Sequence, residues 1–191
     1  GRIDMLRSDW QPAKGQKPHL FWDSDIAKWI EAASYSLTTH PDPELEQKID
    51  DVIDLFVAIQ ADDGYLNSYF INIAPDLRWT NFSFHHELYC AGHLMEAGVA
   101  YFQATGKRKL LDAVCRFADH IDERFRGRKQ QGLPGHQEIE LALVKLFRVT
   151  SEDRYLKLSR FFLDQRGNTT LFKDEENRLP PTIAAEWHRM F

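Results

Sequence analysis

With 191 residues the chain can form one domain with a sizeable core, burying roughly 70% of the surface its unfolded form exposes. Its 24 Lys and Arg against 29 Asp and Glu give a net charge of −5, which excludes the basic face of a nucleic-acid binder. No stretch reaches the ~18 consecutive apolar residues of a membrane span, and two cysteines, Cys90 and Cys115, are too few for a disulfide framework and fit a reducing, cytoplasmic setting.

Residues 1–22 are broken by Pro12, Gly15 and Pro18 and read as an irregular lead-in. A first helix starts at Asp23-Ser24-Asp25, where Asp and Ser can cap exposed N–H groups, and continues as the stripe Ile26, Trp29, Ile30, Ala33 and Leu37. His40-Pro41-Asp42-Pro43 ends it. A second helix from about Pro43 carries Leu45, Ile49, Val52, Ile53, Phe56 and Ile59. Gln60 to Gly64 is a turn, Tyr65 to Phe70 reads as a short strand or extended loop, and residues 71–83 as a long loop.

The centre of the chain is a helical hairpin from His85 to Asp122. Its first helix carries Leu88, Leu94, Met95, Val99 and Phe102; Thr105-Gly106 breaks it; its second carries Leu110, Leu111, Val114, Phe117 and Ile121. Arg124 to Pro134 is a basic connection. A fifth helix opens at Gly135-His136-Gln137-Glu138 with the stripe Ile139, Leu143, Leu146 and Phe147. Ser151 or Thr150 caps a sixth, whose apolar residues are Tyr155, Leu156, Leu158, Phe161, Phe162 and Leu163, with Gly167 as its C-cap. The tail 168–191 is polar and broken by proline, with one more helical turn at Ala184 to Met190.

Three hairpins superpose in sequence at Thr39, Thr105 and Thr150, each closing a first helix. A repeat of this period predicts a solenoid or closed α/α toroid within a single all-α domain, 1–191, with first helices in one layer and second helices in the other. The first helices begin with Asp23 and Asp25, with His85 and His86, and with His136 and Glu138; in a toroid these starts converge on one mouth. Histidine is not a favoured N-cap, so helix capping alone does not account for His86 and His136.

Two further patterns touch chemistry. His86, Cys90 and His93 at i, i+4 and i+7 have the spacing of metal ligands but lack a fourth, and a buried, inert Cys90 is the better reading. Glu87, Glu138 and Glu140 are candidates for the paired carboxylates of glycosidic cleavage, or salt-bridged groups.

The segments DSDIAKWIEAASYSLTTHPDPELEQKIDDVIDLFVAIQADDGYLNSYF, HELYCAGHLMEAGVAYFQATGKRKLLDAVCRFADHI and GHQEIELALVKLFRVTSEDRYLKLSRFFLDQRG resemble the N-terminal part of glycoside hydrolase family 127, the β-L-arabinofuranosidases, from about Gly1 to Gly167. The resemblance implies part of an (α/α)6 barrel acting on the non-reducing ends of β-L-arabinofuranosides, with a zinc-held cysteine thiolate as the family's nucleophile and a glutamate as acid and base. It places the histidine of HELY on His86 and that of GH-x-EIE on His136 as sugar-hydroxyl contacts, with Asp25 lining the cup. The family's Glu-x-Cys segment and Cys-Cys pair have no counterpart among these 191 residues. No residue here is therefore assigned a catalytic or metal-binding role, and zinc is expected only in the full-length enzyme. The expected ligand is an L-arabinofuranoside-type carbohydrate, with neither nucleic acid nor membrane as partner. Six helices are half of a twelve-helix toroid, and their uncovered edges predict self-association or a partner chain.

Overall fold

The computed structural model of the protein describes residues 3–7, 10, 13, 19–82, 84–127 and 132–166. Among these, seven α-helices carry the fold and no strand occurs: α1 Trp22–Thr39, α2 Pro43–Ile59, α3 Ser68–Asn72, α4 Glu87–Thr105, α5 Lys109–Asp122, α6 Ile139–Thr150 and α7 Asp153–Gln165. The three threonines used to align the repeat are the last residues of α1, α4 and α6. Side by side, α1, α4 and α6 form one layer, and α2, α5 and α7 back them as second helices. Asp119 of α5 holds Arg154 of α7 at 2.8 Å, tying that outer layer together.

Local chemistry explains most boundaries. Asp42 accepts hydrogen bonds from the N–H groups of Glu44 and Leu45, both at 3.0 Å, and Pro43 opens α2. Gly106 takes a left-handed φ of +75° and closes α4. Helix α4 is the most buried of the seven. A Cβ at Gly98 would lie 3.0 Å from Val114 Cγ2, and one at Gly92 would lie 2.7 Å from Glu138 Cγ. Two glycines thus let α5 and the start of α6 close onto the α4 backbone.

The core runs between the layers through Phe56, Tyr65, Phe70, Phe117, Phe125 and Phe162, all buried. Each ring contributes roughly 1.5–3 kcal/mol by leaving water.

Several boundaries differ from the sequence reading. Helix α1 starts at Trp22 with Phe21 at its N-cap and no side-chain cap. Asp23 instead turns into the core, 2% exposed, and accepts hydrogen bonds from the backbone N–H of Ser68 (2.6 Å) and the Ser68 hydroxyl. The buried first turn of α3 needs an acceptor more than the half-solvated start of α1 does. The stretch Tyr65 to Phe70 is therefore neither strand nor loop throughout: it turns into α3 at Ser68, with Asn67 Oδ1 accepting from Phe70 N–H at 3.2 Å.

Trp29 lies off the buried stripe at 39% exposure. Helix α6 begins at Ile139, after a turn at residues 135–138. Ser151 does not start α7; it ends α6 with φ of +61°, and Glu152 takes the N-cap place. Within α7 only Tyr155, Leu158 and Phe162 of the expected apolar face are buried, while Leu156 and Leu163 are exposed. The connection after α5 begins as a π-helical turn, Glu123–Gly127. Gly167 and the tail 168–191 lie outside the described residues.

Candidate functional site

His86 is the residue from which the site is built. It stands at the N-cap of α4 with a left-handed φ of +58°, a conformation that non-glycine residues rarely take and that often marks a site. Its Nδ1 lies 2.6 Å from the Phe84 carbonyl. A carbonyl only accepts, so Nδ1 carries a proton, and the ring's other nitrogen, Nε2, is turned toward the loop before α6. That Nε2 faces Nε2 of His136 at 3.3 Å, with ring centroids 5.1 Å apart. The loop before α6 thus delivers His136 onto the first turn of α4.

Other elements complete the surroundings. The Phe21 ring packs on His86 at 4.9 Å. Tyr89, one turn along α4, lies 5.0 Å from the His136 ring and 4.5 Å from that of His93. Lys28 of α1 donates to the Tyr89 hydroxyl at 2.7 Å. Burial, then the neighbouring His86, His93 and Lys28, lowers the pKa of His136, so its imidazole is neutral at neutral pH. Two imidazoles beside a phenol offer ring nitrogens and a hydroxyl as hydrogen-bonding groups, which suits hydroxyl ligands. Asp25, half-buried, stands in the first turn of α1, one turn before Lys28.

The remaining polar groups of the segment serve the frame. His85 turns from His86 and packs on Phe70 at 5.0 Å. Glu87 is fully buried, accepting from the Tyr65 hydroxyl at 2.5 Å and from Trp79 N–H at 2.9 Å. Burial drives its carboxyl up to about 7 despite those hydrogen bonds. Trp79 has φ of +60° and donates its Nε1–H to His120 Nε2 at 3.2 Å. Behind it lies a cleft of about 230 Å³ lined by Asp63, Arg78, Trp79, His120, Glu123 and Arg124. Of the other two glutamates, Glu140 is buried against Arg166 at 2.6 Å, a structural pair. Glu138 meets His93 at 3.2 Å and approaches Glu96.

The i, i+4, i+7 set does not assemble. Cys90 is wholly buried against Ser24 of α1, and its thiol is pushed well above the usual range by burial. The group that does converge among the described residues is His93, Glu96 and Glu138, with Lys145 Nζ already on Glu96.

Sequence reasoning missed Phe21, Lys28 and Arg166. Lys28 carried a signal, since it follows Asp25 by one helical turn. Arg166 carried none.

The family model for "Beta-L-arabinofuranosidase, GH127 catalytic domain" matches residues 4–185. The chain belongs to glycoside hydrolase family 127. It is 43% identical over 159 residues to the non-reducing end β-L-arabinofuranosidase of Bifidobacterium longum subsp. longum, covering 80% of this chain and 24% of that one. The crystal structure of a GH127 β-L-arabinofuranosidase from Geobacillus stearothermophilus T6 superposes with a TM-score of 0.85 at 49% identity, over 93% of this chain and 28% of that one. A second GH127 β-arabinofuranosidase structure gives a TM-score of 0.77 at 39% identity, over 88% and 28%. The chain thus spans about a quarter of the length of these GH127 relatives, and its stacked hairpins are a partial α/α toroid of their kind. Among the described residues no helix is long and apolar enough to cross a membrane.

Family 127 implies a zinc-held thiolate, and the cysteines present do not fit one. Cys90 is enclosed between α4 and α1, while Cys115 sits on α5 in the other layer, hydrogen-bonded to Tyr155 of α7. No zinc ligand set is assigned to these residues.

Proposed function

We propose that this chain supplies the sugar-binding face of a glycoside hydrolase that releases L-arabinofuranose from the non-reducing ends of β-L-arabinofuranosides. In this reading His86 and His136 contact hydroxyls of the terminal sugar, and Asp25 lines the cup beside them. The carrying observation is the apposition of the two imidazoles at 3.3 Å, brought together from α4 and the loop before α6. Two imidazoles held side by side can read adjacent hydroxyls, and the Phe21 and Tyr89 rings supply apolar faces of the kind a furanose packs on. No bond-breaking step is assigned to the residues of this chain.

The test is titration of the protein with L-arabinose, followed by NMR of the histidine ring protons. His86 and His136 signals are expected to move together. His86→Ala is expected to weaken binding about tenfold, the worth of one good hydrogen bond. Unchanged affinity in His86→Ala, or ring signals indifferent to the sugar, overturns the assignment.

A further inference from the structure

We propose that Glu96 and Glu138 share one proton across the junction of α4 and α6, and that this proton holds the loop carrying His136 against His86. Glu138 is then a positioning residue of the sugar face, and this part of the inference rests on the reading of His86 and His136 given above.

The geometry begins with Gly92. Glu138 Cγ lies 2.7 Å from where a Cβ at position 92 would stand, and the Glu138 backbone carbon is 3.1 Å from it. Only a glycine lets the residue before α6 lie this close to α4. From there the Glu138 carboxylate meets His93 Nδ1 at 3.2 Å and reaches Glu96, one turn further along α4. The groups that face it are His93 and Glu96 from α4, Glu31 from α1, Lys145 from α6, and His136 in its own loop. Lys145 serves both Glu31, at 3.5 Å, and Glu96. Two carboxylates therefore hold one cation while a third, Glu138, lies against Glu96, and the side chains of Glu96 and Glu138 are only 7% and 15% exposed.

Two carboxyls this close, with little water between them, do not both ionise. Lys145 on Glu96 decides which keeps the proton. Against the opposing effect of burial, the neighbouring His93 at 3.5 Å, Glu138 and the Lys145 ammonium hold Glu96 low, at about 2. Burial and the adjacent Glu96 push Glu138 up to about 8. The protonated Glu138 donates to the Glu96 carboxylate and ties the start of α6 to α4; losing the proton replaces that tie with like-charge repulsion. On its other side the loop is held independently, since Arg166 donates to the His136 carbonyl at 3.3 Å. Loss of one of the two ties lets His136 shift relative to His86 without unfolding the hairpin. Because burial lowers the pKa of His136 itself, its own titration and that of the tie fall in separate pH windows.

The experiment follows the His136 Cε1–H resonance of the sugar-free protein by NMR from about pH 5 to about pH 9.5. Two inflections are expected: one below the ordinary histidine value of about 6.5, and a second near pH 8 reporting Glu138. Glu138→Gln and, independently, Glu96→Gln should each abolish the second inflection and keep the first. L-arabinose affinity should fall several-fold between about pH 7 and about pH 9 in the parent and stay level in Glu138→Gln. A parent protein without the second inflection overturns the proposal even if neither variant folds, and so does an inflection that persists in both variants. The resonance is read without sugar, so an intact second inflection with no arabinose response overturns the sugar reading and leaves the shared proton standing.

Discussion

Replacing Glu87 with glutamine should remove a specific pH dependence from the stability of this protein. Glu87 is fully buried, with its carboxylate accepting from Tyr65 and Trp79, and burial lifts its pKa from the ordinary 4.5 to about 7. An unfolded chain releases that proton near 4.5, while the folded chain keeps it until about 7. Between the two the folded state binds more protons, so stability falls as pH rises and the penalty is complete above about 7. A displacement from 4.5 to about 7, at about 1.36 kcal/mol per pH unit, corresponds to about 3 kcal/mol. About 2.5 kcal/mol of it develops between pH 5 and pH 8. Glutamine keeps the shape, and its Oε1 still accepts from Tyr65, but it never ionises. Reversible urea unfolding of both proteins at about pH 5 and about pH 8 gives the difference directly. Burial lowers the pKa of His85, His120 and His136, which raises stability with pH over the same range; that contribution is common to both proteins and cancels. The parent should lose about 2.5 kcal/mol more than Glu87→Gln on going from the lower pH to the higher. Equal pH dependence in the two proteins would refute the claim that Glu87 is an acid held in a dry site.

Arg166→Ala should destabilise by about 3 kcal/mol in urea unfolding, because it leaves Glu140, 4% exposed, as a buried charge without its cation. Loss below about 0.5 kcal/mol would mean that Glu140 finds another partner. Gly64→Ala should cost about 2 kcal/mol or more in the same measurement: φ is +87°, and the new Cβ would stand 2.6 Å from the Arg116 carbonyl oxygen, a backbone atom that cannot swing aside. A neutral Gly64→Ala would show that the turn after α2 is free to relax.

Periodicity made the repeat readable. A helix pattern and a closing threonine recur at Thr39, Thr105 and Thr150, and each ends a first helix in the structure. What the sequence did not disclose were acceptors used across space. Asp23 has the composition of a cap and the position of a cap, yet it serves Ser68, 45 residues away. Nothing local to the Asp23-Ser24-Asp25 triplet distinguishes an aspartate that caps its own helix from one that caps a helix arriving later. Arg166 is legible for the same reason only in three dimensions: it satisfies Glu140 and the carbonyls of Pro134 and His136, all some 26 to 32 residues earlier.

The first turns of α4 show how a crowd of reactive residue types can be sorted without being one site. Successive residues rotate by about 100°, so i+3 and i+4 fall on either side of the residue they follow. On the i+3 side of His86 lie Tyr89, His93 and Glu96 (i+3, i+7 and i+10), and these meet His136, Glu138 and Lys145 from the α6 side. The i+4 direction passes through Cys90, which packs on α1 and is closed to solvent. Spacing alone allows His86 to share a face with either set, so the i, i+4, i+7 pattern is set aside in the sequence only because a fourth ligand is lacking. The arriving neighbour decides between them: Gly92 admits the start of α6 on one side, and Ser24 of α1 closes the other. Which polar residues of α4 are gathered together is thus set less by the helix itself than by which helix start the glycine lets in.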